Sequence, residues 1–335
     1  MTKNDLNIIL AFFCFSLGLL IFTFYTPNYY SSKEAVEINI KNGASFNEVI
    51  DLLYSKKIIH NKTYLRLAAF IYGAEDKIKA GEYKIPNGLS YFSLIDYLTK
   101  SPFSNQILVT IPEGIWLPDL AKIFKNKLNL DSAKFMALCY DNDFIKKLGL
   151  ETDNLEGYLL PNTYYFYKNS TEENVIIKLA NEMKLLFTPE ILKQCEELNM
   201  SEREILILAS IIDGESNKIS EFNRISGVYQ NRLKINMSLQ ADPTIQYLVR
   251  DQRPKRILKK FLEIVSPFNT YLYSGLPPAP INNPGKEAIM AALYPEKHNY
   301  LYFVANGKGE HRFARTLNEH NSNVVLYKKA LDTIK

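Results

Sequence analysis

The strongest constraint on this chain lies near its start. From Leu6 to Tyr30 there is no charged residue, and the segment IILAFFCFSLGLLIFTFY (8–25) is almost wholly apolar. A run of that length is long enough to cross the hydrocarbon layer as a helix. A cleavable leader would have a shorter apolar region followed by a small-x-small site. Here the run passes instead into Tyr25, Pro27, Tyr29 and Tyr30, the aromatic composition of a membrane interface. The expectation is an uncleaved anchor. Residues 1–30 would supply a short cytoplasmic tail and one transmembrane helix, with the bulk of the chain outside an inner (plasma) membrane.

The rest is long enough for two domains. At 335 residues, 47% of them hydrophobic, the chain has ample material for packed cores. The net charge of +4 is small, and the basic blocks at 125–127 and 253–260 are short. With no binding motif beside them, they are most simply solvated loop charge, and no nucleic-acid partner is expected. Cys14, Cys139 and Cys195 form no CxxC pair and the four histidines are scattered, so neither a disulfide scaffold nor a metal site is expected.

Periodicity predicts an α+β chain. Residues 31–104 read as a β-α-α-β-α module whose first helix opens on a capping box, Ser45 with Glu48. Residues 105–335 read as a larger mixed α+β domain. It opens on a strand over 106–115 and includes one long helix through 172–198. The aromatics Tyr140, Tyr158, Tyr164, Tyr165, Phe166 and Tyr167 could line a sugar-stacking groove or simply fill a core. Residues 266–285 pack five prolines and three asparagines into a long irregular connection, which in a compact domain is usually functional. A hairpin with strands near 300–305 and 311–315 precedes the last helix.

Elimination narrows the chemistry. There is no GxSxG elbow, no HExxH, and the GKGEH stretch (307–311) lacks the ending of a phosphate loop. What remains is carboxylate chemistry, with Asp213, Glu215 and Asp242 as candidates. In SEREILILASIIDGES (201–216), Ile205, Leu208 and Ile212 mark one apolar helix face, and Glu215 lies three positions further on. A carboxyl extending an apolar face loses solvation, which raises its pKa toward that of a general acid. Most glutamates at such spacing are solvated surface residues, so the pattern alone leaves the choice open.

The series LEGYLLPNTYYF, LASIIDGES, YQNRLKINMSLQADPTIQY, FNTYLYSGLPPAPINNPG and YLYFVANGKGEHRFARTLNEHN resembles the endolytic murein transglycosylase (YceG-like) family over essentially the whole chain. The resemblance implies a LysM-like glycan-binding module at 31–104 and a catalytic domain at 105–335. It implies Glu215 as the catalytic carboxyl, and no metal or cofactor. The partners it implies are peptidoglycan glycan strands and penicillin-binding synthases. The implied reaction cleaves the β-1,4 bond between N-acetylmuramic acid and N-acetylglucosamine within a strand, leaving a 1,6-anhydro end and terminating nascent strands. Gln240, Asp242, Asn231, Asn269, Thr270 and Tyr271 are then expected to line the substrate cleft, although each could equally serve a cap or a turn. The chain departs from the family pattern at Asp213 (usually Glu), Gly214 (usually Lys) and Ala241 (usually Thr), and Gly214 is expected to loosen the helix end carrying Glu215. A non-catalytic, membrane-anchored scaffold for cell-wall synthases is the alternative, and a hydrolase adding water at the same bond is a third reading.

Overall fold

A computed structural model describes residues 18, 22–29, 35–100, 106–254 and 256–334. The chain divides into two compact units: residues up to 107 together with 165–169, and residues 108–164 with 170–335.

In the first unit, β1 (Val36–Ile40) pairs antiparallel with β2 (Gly81–Ile85), Val36 opposite Ile85 and Ile40 opposite Gly81. Alternation turns Ile38, Ile40, Tyr83 and Ile85 inward. Helices α1 (Phe46–Ser55), α2 (Lys62–Tyr72) and α3 (Tyr91–Thr99) bury Ile50, Leu53, Leu65, Leu94 and Leu98 with these strand residues in one core. Ser45 and Glu48 close the capping box, the Ser45 N–H donating to Glu48 Oε2 at 2.6 Å. The β-α-α-β-α order is present, but nothing in the geometry marks the unit specifically as LysM-like.

The expected single-pass anchor and inner-membrane location are corrected here. Among the described residues, no helix is long and apolar enough to cross a membrane. Most of the 8–25 run lies outside the described residues. In its last turn, 22–25, Phe22 and Tyr25 are exposed and Phe24 alone packs into the protein core. Phe24 is buried, its ring 5.4 Å from that of Phe92 and 6.3 Å from that of Tyr64. Asn28 is then tied to the loop before α3, its N–H donating to Leu89 O at 3.0 Å. Of the run's described residues, Phe24 is the one that joins the core of the small unit.

A second two-stranded sheet joins β3 (Gln106–Thr110) to β4 (Thr163–Tyr167). The larger unit is mainly helical: α4 (Leu117–Leu128), α5 (Ser132–Cys139), α6 (Asn142–Lys147), α7 (Glu172–Leu186) and α8 (Pro189–Leu198) come first. The single helix expected over 172–198 is two helices, because Thr188 caps a new helix with Pro189 in its first turn. Next come α9 (Glu202–Glu215), α10 (Ile219–Lys234), α11 (Asp242–Leu248) and α12 (Lys286–Leu293). The hairpin β5 (Tyr302–Ala305) and β6 (His311–Ala314) and a last helix, α13 (Leu317–Ile334), close the chain.

α9 is the axis of this unit. Ile205–Ile212 are buried without interruption, so the helix is enclosed all round rather than on one stripe. The irregular 266–285 segment wraps it: Ile281 N–H donates to Ser210 Oγ at 3.0 Å, and Asn282 Nδ2 to Ser210 O at 2.8 Å. Asn283, fully buried, accepts from Gly157 and Leu159 N–H and donates to Ile115 O and Glu156. Of the six aromatics read as groove or core, Tyr158, Tyr164 and Phe166 are buried in the fold, whereas Tyr140 and Tyr165 are exposed. Cys139 and Cys195 are both buried free thiols.

Candidate active site

The last turn of α9 carries two carboxylates with opposite roles. Residues two apart on a helix point to different sides. Asp213 turns back into the fold, where its Oδ2 accepts the Gly285 N–H at 2.9 Å. Burial raises its pKa to about 6, against the lowering effect of that bond. Glu215 turns to a cleft of about 600 Å³. Its pKa is pushed up to about 8, first by burial; the neighbouring Asp242 charge adds to the rise, while a hydrogen bond from Tyr229 and the Arg232 cation oppose it. The C-terminal end of a helix also disfavours negative charge. Near neutral pH, Glu215 therefore holds a proton at the edge of the cleft.

α10 supplies the groups behind Glu215. Tyr229 is 1% exposed, and its hydroxyl donates to Glu215 Oε1. One turn on, Arg232 is buried with its Nε on Leu301 O and its Nη1 on Leu239 O, both at 2.6 Å. A guanidinium so held cannot swing to Glu215 and acts as a fixed positive charge behind it. At the start of α10, Glu221 grips His311 twice, accepting its N–H at 2.8 Å and facing its Nδ1 at 2.9 Å. That fastens β6 to α10 and sets the His311 ring against the cleft.

The structure separates the six residues expected to line the cleft. Gln240, Asp242 and Tyr271 border it together with Glu215. Tyr271 Oη donates to Asp242 Oδ1 at 2.6 Å, and Gln240 takes a positive φ of 48°. Asn231, Asn269 and Thr270 do not line it. Asn231 Nδ2 donates to the carbonyls of His298 and Tyr300, and Asn269 Nδ2 to those of Leu262 and Ile264. Thr270, 2% exposed, receives the Ala241 N–H and contacts Thr244. These three shape the walls from behind.

Gly214 is placed by packing. A Cβ there would stand 2.6 Å from Pro243 Cβ, so glycine lets α11 close against the end of α9 and brings Asp242 up to Glu215. The α9 helix runs without a break to Glu215, so the loosening expected of Gly214 is not seen. Tyr229 and Arg232 were not singled out from sequence as site residues. Tyr229 shares its α10 face with Phe222 and Ile225 and reads there as core; only its hydroxyl and the buried cation three residues on mark the face as polar at one end. Tyr302, Phe303, His311 and His320 also border the cleft. Among the described residues, no three His, Cys, Asp or Glu side chains cluster to hold a metal ion.

Fold and site define a class: a two-unit α+β protein whose larger unit presents one proton-holding carboxyl, backed by a phenol and a fixed cation, to an open cleft. The YceG-like family profile matches residues 38–325, and the chain belongs to that family. An endolytic murein transglycosylase of Bacillus subtilis (strain 168) is 32% identical over 304 residues, covering 87% of this chain and 84% of that protein. One from Streptococcus pneumoniae (strain D39) is 27% identical over 327 residues, and the chain spans 59% of its length. The crystal structure of a yceG-like protein from Listeria monocytogenes aligns with a TM-score of 0.60 at 30% identity, covering 87% of this chain and 99% of that one. The resemblance drawn from the sequence motifs is borne out.

Proposed function

We propose that the chain is a peptidoglycan lytic transglycosylase acting within glycan strands, with Glu215 as its catalytic acid and base. The observation that carries this reading is the Glu215 carboxyl, held protonated near neutral pH where it borders the cleft. The names of its relatives support the substrate class. In the first step, Glu215 gives its proton to the glycosidic oxygen between N-acetylmuramic acid and N-acetylglucosamine as the C–O bond breaks. The carboxylate left behind keeps the Tyr229 hydrogen bond and faces the Arg232 charge, both of which favour its ionised form. In the second, that carboxylate takes the proton of the muramyl C6 hydroxyl as its oxygen bonds to the anomeric carbon, closing a 1,6-anhydro ring and restoring the acid. No water is consumed, so one carboxyl serves where a glycosidase needs two. Asp242, exposed and fixed by Tyr271, is placed to offset positive charge on the ring between the two steps. Gln240 and Tyr271 offer hydrogen bonds to the sugars. Termination of nascent strands, and contact with penicillin-binding synthases, follow from the same reading.

The test is Glu215→Gln on purified sacculi, with products read by mass spectrometry. The wild type is expected to release anhydro-muropeptides and the variant none, with thermal melting showing both folded. Reducing muramic ends from the wild type would mean a hydrolase. Sacculus binding without any product would mean a scaffold.

A further inference from the structure

Four successive residues of β5, Tyr302–Ala305, line the cleft. Side chains of a strand alternate between its faces, so four in a row border one cavity only when the strand turns its backbone edge to it. The register agrees. Tyr302 lies opposite Ala314 and Val304 opposite Arg312, and Asn306 N–H donates to Glu310 O at 2.7 Å. Bonded and non-bonded pairs alternate along an antiparallel ladder, so 302, 304 and 306 bond to β6 while Phe303 and Ala305 turn N–H and C=O outward. Among the described residues β5 pairs with no strand but β6, and no group bonds those outward amides. Nearer the start of the same stretch the carbonyls are taken, Tyr300 by Asn231 and Leu301 by Arg232. From Phe303 the edge is open, and its residues are half-exposed.

We propose that this open edge takes the stem peptide of the peptidoglycan strand as an added β-strand, beside the sugar on which Glu215 acts. The inference rests on the reading of the cleft as a glycan-cleaving site. An extended peptide presents N–H and C=O toward one edge at every second residue, a repeat of about 6.8 Å, which is the spacing of Phe303 and Ala305. An acetamido group carries a single amide and would satisfy one position only. The stem hangs from the muramyl ring whose anomeric carbon reacts, so it must leave the sugar inside this cleft. The edge makes the site a reader of peptide main chain as well as of sugar.

Ala305→Pro tests this, since it deletes an outward N–H without removing a donor from the β5–β6 ladder. The probes are stem-bearing glycan strands and the same strands stripped of stems by an amidase. The wild type is expected to favour stem-bearing strands in kcat/KM by about tenfold, the effect of two net main-chain hydrogen bonds. In Ala305→Pro that ratio falls at least about threefold, as one such bond is lost. A wild type without preference overturns the proposal. So does a variant that loses rate equally on both substrates, which would assign the edge to an acetamido group. Should the variant melt early, inhibition of the wild type by free stem pentapeptide replaces it: inhibition should vanish when the peptide amides are N-methylated, and inhibition that survives methylation refutes the pairing. Binding of both strands to Glu215→Gln separates this idea from the proposed reaction. A stem-dependent binding ratio with no product from the wild type would leave the edge standing and the reaction refuted; product without the ratio would do the reverse.

Discussion

Replacing Glu215 with glutamine should stabilise the fold, and increasingly so as pH rises. The unfolded chain releases this proton near the ordinary 4.5, whereas the folded one holds it to about 8. Between those values the folded state binds more protons than the unfolded, so wild-type stability falls with rising pH, by at most about 1.4 kcal/mol per pH unit for this group. Integrated across the window, the upper limit is about 5 kcal/mol. Solvent in the cleft screens part of it, leaving about 2–3 kcal/mol. Glutamine keeps the shape and cannot ionise. Urea unfolding of both proteins at pH 5, 7 and 9 measures the difference. Asp213 and Glu156, raised to about 6 and about 8 by burial, titrate in both proteins and cancel in the comparison. The stability advantage of Glu215→Gln should be smallest at pH 5 and grow to pH 9. Parallel stability curves would refute the claim that this carboxyl is held protonated by its surroundings.

Two further perturbations probe the same site. Tyr229→Phe removes the hydroxyl bonded to Glu215, a bond to a charged group worth about 1.5–3 kcal/mol when the carboxylate forms. Turnover on sacculi should drop about tenfold or more, and the Glu215 limb of the pH–rate profile should move to higher pH; an unmoved limb argues against the contact. Gly214→Ala drives a methyl into Pro243, with a cost of about 1–3 kcal/mol in stability. Because it also pushes Asp242 from Glu215, the same pH limb should move down, and a variant matching the wild type in both melting and pH profile would contradict the packing described.

The features legible in sequence are those written in short stretches. Ser45 with Glu48 announces its helix because both halves of a capping box lie within one turn. The apolar face through Ile212 placed Glu215 beyond a buried helix end for the same reason. What escaped was set by partners far along the chain. The Tyr229 hydroxyl has meaning only once α10 folds back on α9, and Asn231, Asn269 and Thr270 spend their polar atoms on backbone groups that only the tertiary fold brings near. Tyr158, Tyr164, Phe166 and Phe24 share one lesson. Hydrophobicity states that a side chain leaves water, but the partner, whether sugar, lipid or protein, is chosen by the rest of the chain; Phe24 chose Phe92.

The bonds of Asn283 have a consequence for how the larger unit comes into being. Its side chain reaches Ile115, Glu156, Gly157 and Leu159 across separations of 124 to 168 residues. Glu156, in turn, receives the first N–H of α4 from Leu117 at 3.1 Å. Until residue 283 arrives, a buried carboxyl and three backbone groups lack this partner, and burying polar groups without partners is costly. Assembly of this unit therefore waits on the distant part of the chain, the behaviour of a slow, late-closing topology. During synthesis the helices from α4 to α11 emerge before Asn283, so the cleft acquires its shape only when nearly the whole unit is present.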